Sequence, residues 1–354
     1  MTTILAAQQE PMNIAVIGLS HDHVHWIFGS EKRGEFKIAG IVASDKALAV
    51  RFSEQYGFPM ERIYDSMEKL HANEQFEAVT AFGNIFDHLS VVEFFAPKGI
   101  HIMVEKPLAV SLEHAEKMAA LAEKYQIHLL TNYETTWYPS NHKAYELLRQ
   151  DAIGEMRKVI VRDGHKGPKK IGVSNEFLSW LTDPLLNGGG AITDFGCYGA
   201  NLATWLMDGE LPNTVTTVTQ QLQAANNPKV DDEAIIILTY DESVAIIQAS
   251  WNWTIGRKDM EIYGLKGIVY ADNRHDLRIR MAEGYDEFEE TKLTLEEHIA
   301  PYDDPFAYFV AVIRGEIETR ATDLSGLENN LSVMKILDAA IRSAAEGQTV
   351  ELKE

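Results

Sequence analysis

Two stretches of the chain hold side chains suited to moving protons. In the first, the apolar run 100–104 leads straight into Glu105-Lys106-Pro107. An ammonium at the end of a buried strand can hydrogen-bond a ribose or a substrate hydroxyl. Its charge also favours the anionic form of a neighbouring alkoxide or phenol. Pro107 biases Lys106 to an extended backbone and suits the first turn of a following helix. In the second stretch, Gly188-Gly189-Gly190 precedes Asp194, Tyr198 and Asn201. Adjacent glycines let the backbone approach a flat ligand closely. The i, i+4, i+7 spacing puts a carboxylate, a phenol and an amide on one helix face, as a polar site requires. A helix start capped by Asp194 would use the same residues. A lone lysine after a strand is ordinarily a surface residue, so the pairing of the two stretches carries the acid–base reading.

The elements that must position these groups change character along the chain. Strand-like runs at 13–18, 36–43, 78–82, 100–104 and 127–130 alternate with helical segments at 46–56, 88–97 and 112–125. That alternation predicts a doubly wound parallel sheet of the Rossmann type, with ligands at the strand C-termini. Beyond about Thr135, runs at 156–162, 214–222, 234–240, 243–251, 259–263 and 267–272 alternate apolar and polar residues and are joined by turn signals. The predicted fold class is an α/β Rossmann doubly wound sheet plus a second α+β domain with a large, mostly antiparallel sheet. Residues 1–11 are assigned as an N-terminal leader, 12–133 as the dinucleotide-binding domain, and 134–354 as the substrate-binding and oligomerisation domain.

A dinucleotide site expects G-x-G-x-x-G after the first strand. The chain has Gly18-Leu19-Ser20-His21-Asp22-His23. Gly18 matches, whereas Ser20 and His23 stand at the other two glycine positions. A helix N-terminus there, with Ser20, His21 or His23 as added donors, still suits a phosphate. The alternating His21, His23 and His25 admit a rival reading, a metal-dependent hydrolase with zinc on the His21/His23 pair. His88, His101 and His165 do not supply the later ligands in the order that reading needs, and H-E-x-x-H is absent, so no metal is expected. The second strand ends in Ala43-Ser44-Asp45-Lys46. A carboxylate there favours NAD, while a serine before a basic residue favours NADP. Asp45 tips the reading to NAD, although a helix N-cap by Ser44 or Asp45 explains both residues equally.

Bulk properties narrow the classes. The 354 residues suffice for two domains, and 45% hydrophobic with 24% charged residues is a globular composition. A net charge of −21 repels nucleic acid. The acidic stretch 283–297 reads as a solvated face. One cysteine, Cys197, excludes an internal disulfide. No apolar run is long enough for a membrane span. A cytoplasmic protein is expected, or an exported one if the leader is the stump of a longer signal.

Taken together, these residues resemble the Gfo/Idh/MocA family, which includes glucose–fructose oxidoreductase and inositol dehydrogenases. Glu105-Lys106-Pro107 is similar to its signature tripeptide, Gly83-Asn84 with His88 to its Pro-Asn…His loop, and 188–201 to its D-x-G-x-[HY] stretch. The resemblance implies an NAD- or NADP-dependent oxidoreductase. Hydride would pass between the nicotinamide and a secondary alcohol or ketone of a sugar, polyol or related cyclic alcohol. Lys106 would contact cofactor and substrate, Asp194 would orient the substrate, and Tyr198 would transfer the proton, with Lys106 stabilising its phenolate. Gly18, Ser20, His21, His23, Ser44, Asp45, Gly83, Asn84, His88, Glu105 and Lys106 form the expected cofactor set. Lys106, His165, Asp194, Tyr198 and Asn201 form the expected substrate set, and Trp137, Trp180, Trp251 and Trp253 include candidate sugar-stacking faces. The resemblance also implies a homodimer or homotetramer. A second reading is a glycoside-cleaving enzyme that uses bound NAD for a transient oxidation. A non-catalytic dinucleotide-binding regulator is a third, and it has no need of Lys106, Asp194 and Tyr198 together.

Overall fold

Six short apolar segments pair as a parallel sheet in the computed structural model, which describes residues 10–352. Most of the expected leader therefore lies outside the described residues. The strands are β1 (Met12–Ile17), β2 (Phe36–Val42), β3 (Ile63–Tyr64), β4 (Ala78–Ala81), β5 (His101–Glu105) and β6 (Leu129–Asn132). β4 and β6 are buried at every position, which is why they read as continuous apolar runs. The spatial order β3-β2-β1-β4-β5-β6 reverses between β1 and β4. Doubly wound sheets bind ligands outside the strand C-termini at such a reversal. Gly18 follows β1, Gly83 follows β4 and Lys106 follows β5, so all three lie on that edge. Pro107 does not open a helix as expected, because the next one begins at Leu112.

The second sheet has nine strands: β7 (Met156–Gly164), β8 (Thr214–Gln220), β9 (Glu233–Thr239), β10 (Val244–Ser250), β11 (Arg257–Gly264), β12 (Gly267–Ala271), β13 (Asp276–Ala282), β14 (Phe288–Thr294) and β15 (Val350–Glu351). Neighbours are antiparallel except β7 and β10, which run parallel. Alternation sets the two faces. Ala234, Ile236 and Leu238 of β9 are buried, whereas Ile235 and Ile237, beside Val218 of β8, face outward. The inner face packs on helices Gly196–Leu206 and Leu327–Glu346. The first of these is buried along its whole length. Gly199 lets it lie directly on β10, since a Cβ there would stand 2.3 Å from Ile247. The glycine-capped helix expected at the C-terminus is present, with Gly347 in the left-handed region at φ 68°.

The structure adds elements with weak sequence signals. β14 is the sheet's outer edge with β13 beside it; charge masks the strand pattern of β14, while β13 alternates charged and apolar residues. Pairs such as Arg280–Glu290, 2.7 Å apart, hold them together. The acidic stretch is solvated as expected, but its middle is the edge strand β14. Three short helices, Pro168–Ile171, Asn175–Leu181 and Pro184–Asn187, fill a segment to which the sequence reading assigned no element. Among the described residues, no helix is long and apolar enough to cross a membrane.

Candidate active site

The sheet's C-terminal edge carries a cleft of about 270 Å³ lined by Gly18, Ser44, Gly83, Asn84 and His88, among others. Gly18 has φ +86°, and a Cβ on it would meet the Gly83 nitrogen at 2.7 Å. Only glycine suits both the dihedral and the gap. Gly18→Ala is therefore expected to abolish NADH binding by fluorescence titration while the protein stays folded. Wild-type affinity in that variant would show that the crossing of β1 and β4 is not the cofactor seat.

The rest of the loop departs from a glycine-rich phosphate cradle. The His21 N–H donates to the Phe82 carbonyl at 2.9 Å, and the His23 N–H donates to His21 Nδ1 at 3.1 Å. Helix Val24–Ser30 starts from His23 without a side-chain cap. The short helices 168–187 brace the loop from above. Trp180 Nε1 donates to the Ser20 carbonyl at 3.3 Å, the Ser174 N–H donates to Asp22, and Phe177 and Trp180 pack on the His21 ring. Ser44 lines the cleft, but Asp45 does not. Its side chain accepts from the Ala47 and Leu48 N–H groups as the cap of helix Lys46–Tyr56. The capping alternative holds for Asp45. His88 is buried, its Nδ1 is 3.1 Å from the Leu108 carbonyl, and burial lowers its pKa to about 4, so it is neutral.

A second cavity of about 660 Å³ opens where Lys106 meets the second domain. Lys106, Asp194, Tyr198, His165, His21 and His23 all line it. Lys106 Nζ hydrogen-bonds the Asp194 carboxylate and, at 2.9 Å, the Asp194 carbonyl. Trp251 Nε1 donates to the other carboxylate oxygen at 2.9 Å. Burial opposes charge on both partners. Even so, the Lys106 ammonium holds Asp194 below the usual carboxylate range, and Asp194 holds Lys106 above the usual amine range. The pair is ionised.

Three expectations need correction. Lys106 does not stabilise a Tyr198 phenolate. Its charge is committed to Asp194, and it stands over the ring face, 5.1 Å from the centroid, with Lys258 at 4.7 Å. Burial, reinforced by Glu134, pushes the Tyr198 hydroxyl well above its ordinary pKa, so it keeps its proton. Asn201 does not share the polar face. The short turn Ala191–Asp194 ends at Phe195 before the longer helix begins, and the Asn201 amide donates to the Leu324 carbonyl in the core at 2.8 Å. Trp251 is no stacking face, since it is wholly buried behind Asp194.

Glu105 lies under the loop rather than in the cleft. It accepts from Asn132 Nδ2 at 2.9 Å and from His23 Nδ1 at 2.9 Å, and His21 Nε2 is 3.9 Å away. Burial works against its charge, but the neighbouring His23 and His21 and the two hydrogen bonds bring its pKa to about 2. His21, His23 and Glu105 offer ligand atoms within 4.8 Å of one another, the grouping that a metal reading needs. Because His21 Nδ1 accepts from a backbone N–H, its proton sits on Nε2, toward Glu105. That nitrogen has no lone pair for a cation.

Sequence reading missed Glu134 and Lys258, which pair with each other at the cavity wall. The β7–β11 register brings Lys258 opposite Asp163, and no local motif marks that pairing.

Residues 12–133 match the family described as "Oxidoreductase family, NAD-binding Rossmann fold", and residues 141–270 match the "GFO/IDH/MocA C-terminal domain". The chain belongs to the Gfo/Idh/MocA family. It is thus an oxidoreductase with an NAD-binding Rossmann domain. Trans-1,2-dihydrobenzene-1,2-diol dehydrogenase of Xenopus tropicalis is 26% identical over 66% of this chain and 67% of its own. Inositol 2-dehydrogenase of Rhizobium meliloti is 22% identical over 89% of this chain and 92% of its own. An inositol dehydrogenase homologue from Azotobacter vinelandii, solved with NAD+, shares the fold at a TM-score of 0.82 with 17% identity, over 99% of this chain and 100% of its own. Within the matched residues, Gly18 and Asn84 line one cavity and Lys106, Asp194 and Tyr198 line the other.

Proposed function

We propose that this protein interconverts a secondary alcohol and a ketone on a sugar, polyol or related cyclic alcohol, with NAD as the hydride carrier. The observation that carries this reading is the meeting of Lys106, Asp194 and Tyr198 in one cavity at the C-terminal end of β5. Dehydrogenases of a dihydrodiol and of inositol among its relatives support the substrate class. Nicotinamide, when bound, supplies the hydride acceptor or donor. The chain's own groups handle the oxygen. Lys106 and Tyr198 both hold protons, so both can donate to the reacting oxygen, and Tyr198 is the proton-transfer residue. Asp194 fixes Lys106, and Trp251 fixes Asp194. His165 accepts from the Gly167 N–H on Nδ1 at 3.0 Å, and burial lowers its pKa to about 4. It therefore presents a neutral Nε2–H to a further substrate hydroxyl.

The choice of NAD over NADP rests on the first cleft. Its lining includes the carboxylates of Asp65, Glu68 and Asp87 and no lysine or arginine. Carboxylates accept from ribose hydroxyls and repel a 2′-phosphate. Mass spectrometry of nucleotide released on denaturation, beside fluorescence titration, tests both points. NADH is expected to bind at least about tenfold more tightly than NADPH, a difference of about 1.4 kcal/mol. Preference for NADPH would overturn the cofactor choice. Binding of neither would overturn the function.

A further inference from the structure

The cavity's three histidines are not alike, and their hydrogen bonds sort them. His165 and His21 each accept a backbone N–H on Nδ1, from Gly167 and His23. Burial keeps both neutral, His165 with a pKa near 4 and His21 well below the usual imidazole range. Each carries its proton on Nε2 and can only donate to a ligand. His23 is the reverse. Its Nδ1 lies 2.9 Å from a carboxylate oxygen of Glu105, which can only accept, so Nδ1 carries a proton and Nε2 is the ring nitrogen not committed to Glu105. The imidazole is held in place. Trp26 stacks on it at 3.9 Å and 15°, Asn132 anchors Glu105, and Trp137 Nε1 anchors Asn132 at 3.0 Å.

The four groups nearest the proposed chemistry are already committed. Lys106 and Tyr198 hold their protons. Asp194 and Glu134 are ionised, Asp194 held low by Lys106 and Glu134 at about 2 beside Lys258, and their oxygens are engaged. Yet an alcohol oxidised through Tyr198 must release a proton, and a phenol can take that proton only by passing on its own.

We propose that His23, oriented by Glu105, is the terminal proton acceptor for alcohol oxidation in this cavity. The inference rests on the oxidoreductase reading above. The carbinol carbon loses its hydride to the nicotinamide, the hydroxyl proton moves to the Tyr198 oxygen, and the proton that Tyr198 held moves to His23 Nε2, directly or through one water. The products are the carbonyl, the reduced nicotinamide and an imidazolium beside the Glu105 carboxylate; reduction runs the same path backward. The third glycine position of the dinucleotide loop thus holds a base in place of the glycine that would let the helix pack closely.

His23→Gly tests this, because it restores that glycine. NADH binding is expected to stay or tighten, while turnover of myo-inositol or D-xylose, whichever the wild type oxidises, falls by about 10²–10⁴-fold and recovers with added imidazole. His23→Gln, which keeps the volume, is expected to lose the same activity without rescue. Independently of turnover, ¹⁵N NMR of the imidazoles in cofactor-free protein is expected to show His23 protonated on Nδ1, and His21 and His165 on Nε2. Wild-type turnover and pH profile in both variants, or a His23 protonated on Nε2, would overturn the proposal. A wild type that binds no nicotinamide nucleotide would overturn the oxidoreductase reading instead, and the NMR result would still judge His23.

Discussion

Lys106→Met is expected to destabilise the protein by about 3–5 kcal/mol and to cut turnover at least about 100-fold. Both members of the Lys106–Asp194 pair are buried, 6% and 4% exposed. Removing the ammonium leaves a carboxylate in the core with only the Trp251 N–H as partner, and an uncompensated buried charge costs more than the pair contributes. The pH dependence gives the sign. In the wild type the Asp194 pKa is depressed, so its share of stability is present above the usual carboxylate range and fades only as pH falls through the folded value. The Lys106 pKa is raised, so its share fades only at high pH. The pair therefore contributes evenly between pH 5 and 8. In the variant, burial without a counter-ion raises the Asp194 pKa, and the folded state takes up protons more readily than the unfolded chain. Its stability must then fall as pH rises. Urea unfolding is expected to show a larger gap from wild type at pH 8 than at pH 5. Adding Asp194→Asn should recover part of the stability and none of the turnover. An equal gap at both pH values would mean that Asp194 is not left charged, and the ion-pair account would fail.

Tyr198→Phe removes one oxygen from a fully buried ring that packs edge-on against Tyr133 at 5.4 Å. The ring contacts survive, so stability is expected to change by less than about 1 kcal/mol. Turnover is expected to fall by about 10²–10⁴-fold, the range for loss of a positioned acid or base. NADH affinity should not change, because the hydroxyl serves the substrate side. Since burial and Glu134 hold the Tyr198 proton well above the ordinary range, no limb of the wild-type pH–rate profile between pH 5 and 9 should belong to the phenol. Full turnover in both Tyr198→Phe and Lys106→Met would remove the proposed mechanism.

The central elements were legible because each rests on a local rule. Helix Leu112–Tyr125 is bounded by the Ser111 cap and its own apolar period, and both the expected and the observed spans are the same. β5 is a short apolar run with Glu-Lys-Pro at its ligand end, so the strand-end rule located Lys106 without tertiary information, while Gly83 after β4 was named from the family resemblance. Strands β13 and β14 were not read from the sequence. β14 is largely exposed and rich in charge, so its sequence shows little period-two alternation, whereas β13 does alternate Leu277, Ile279 and Met281 with Asp276, Arg278 and Arg280 and was passed over beside the acidic stretch.

The site divides along the same line. Residue type and order were enough to name Lys106, Asp194 and Tyr198 and to flag the histidine-rich loop as unusual. Tertiary structure alone decided that Asn201 turns into the core, that Asp45 caps a helix, that Trp251 holds Asp194 from behind, and that His23 donates through Nδ1 to Glu105 while His21 accepts on Nδ1. The reason is the range of the interactions. Caps, apolar periods and strand-end residues act within one or two turns of chain. Proton location and ion pairing depend on partners such as Glu105 and Asn132, or Lys106 and Asp194, that only folding brings within 3 Å.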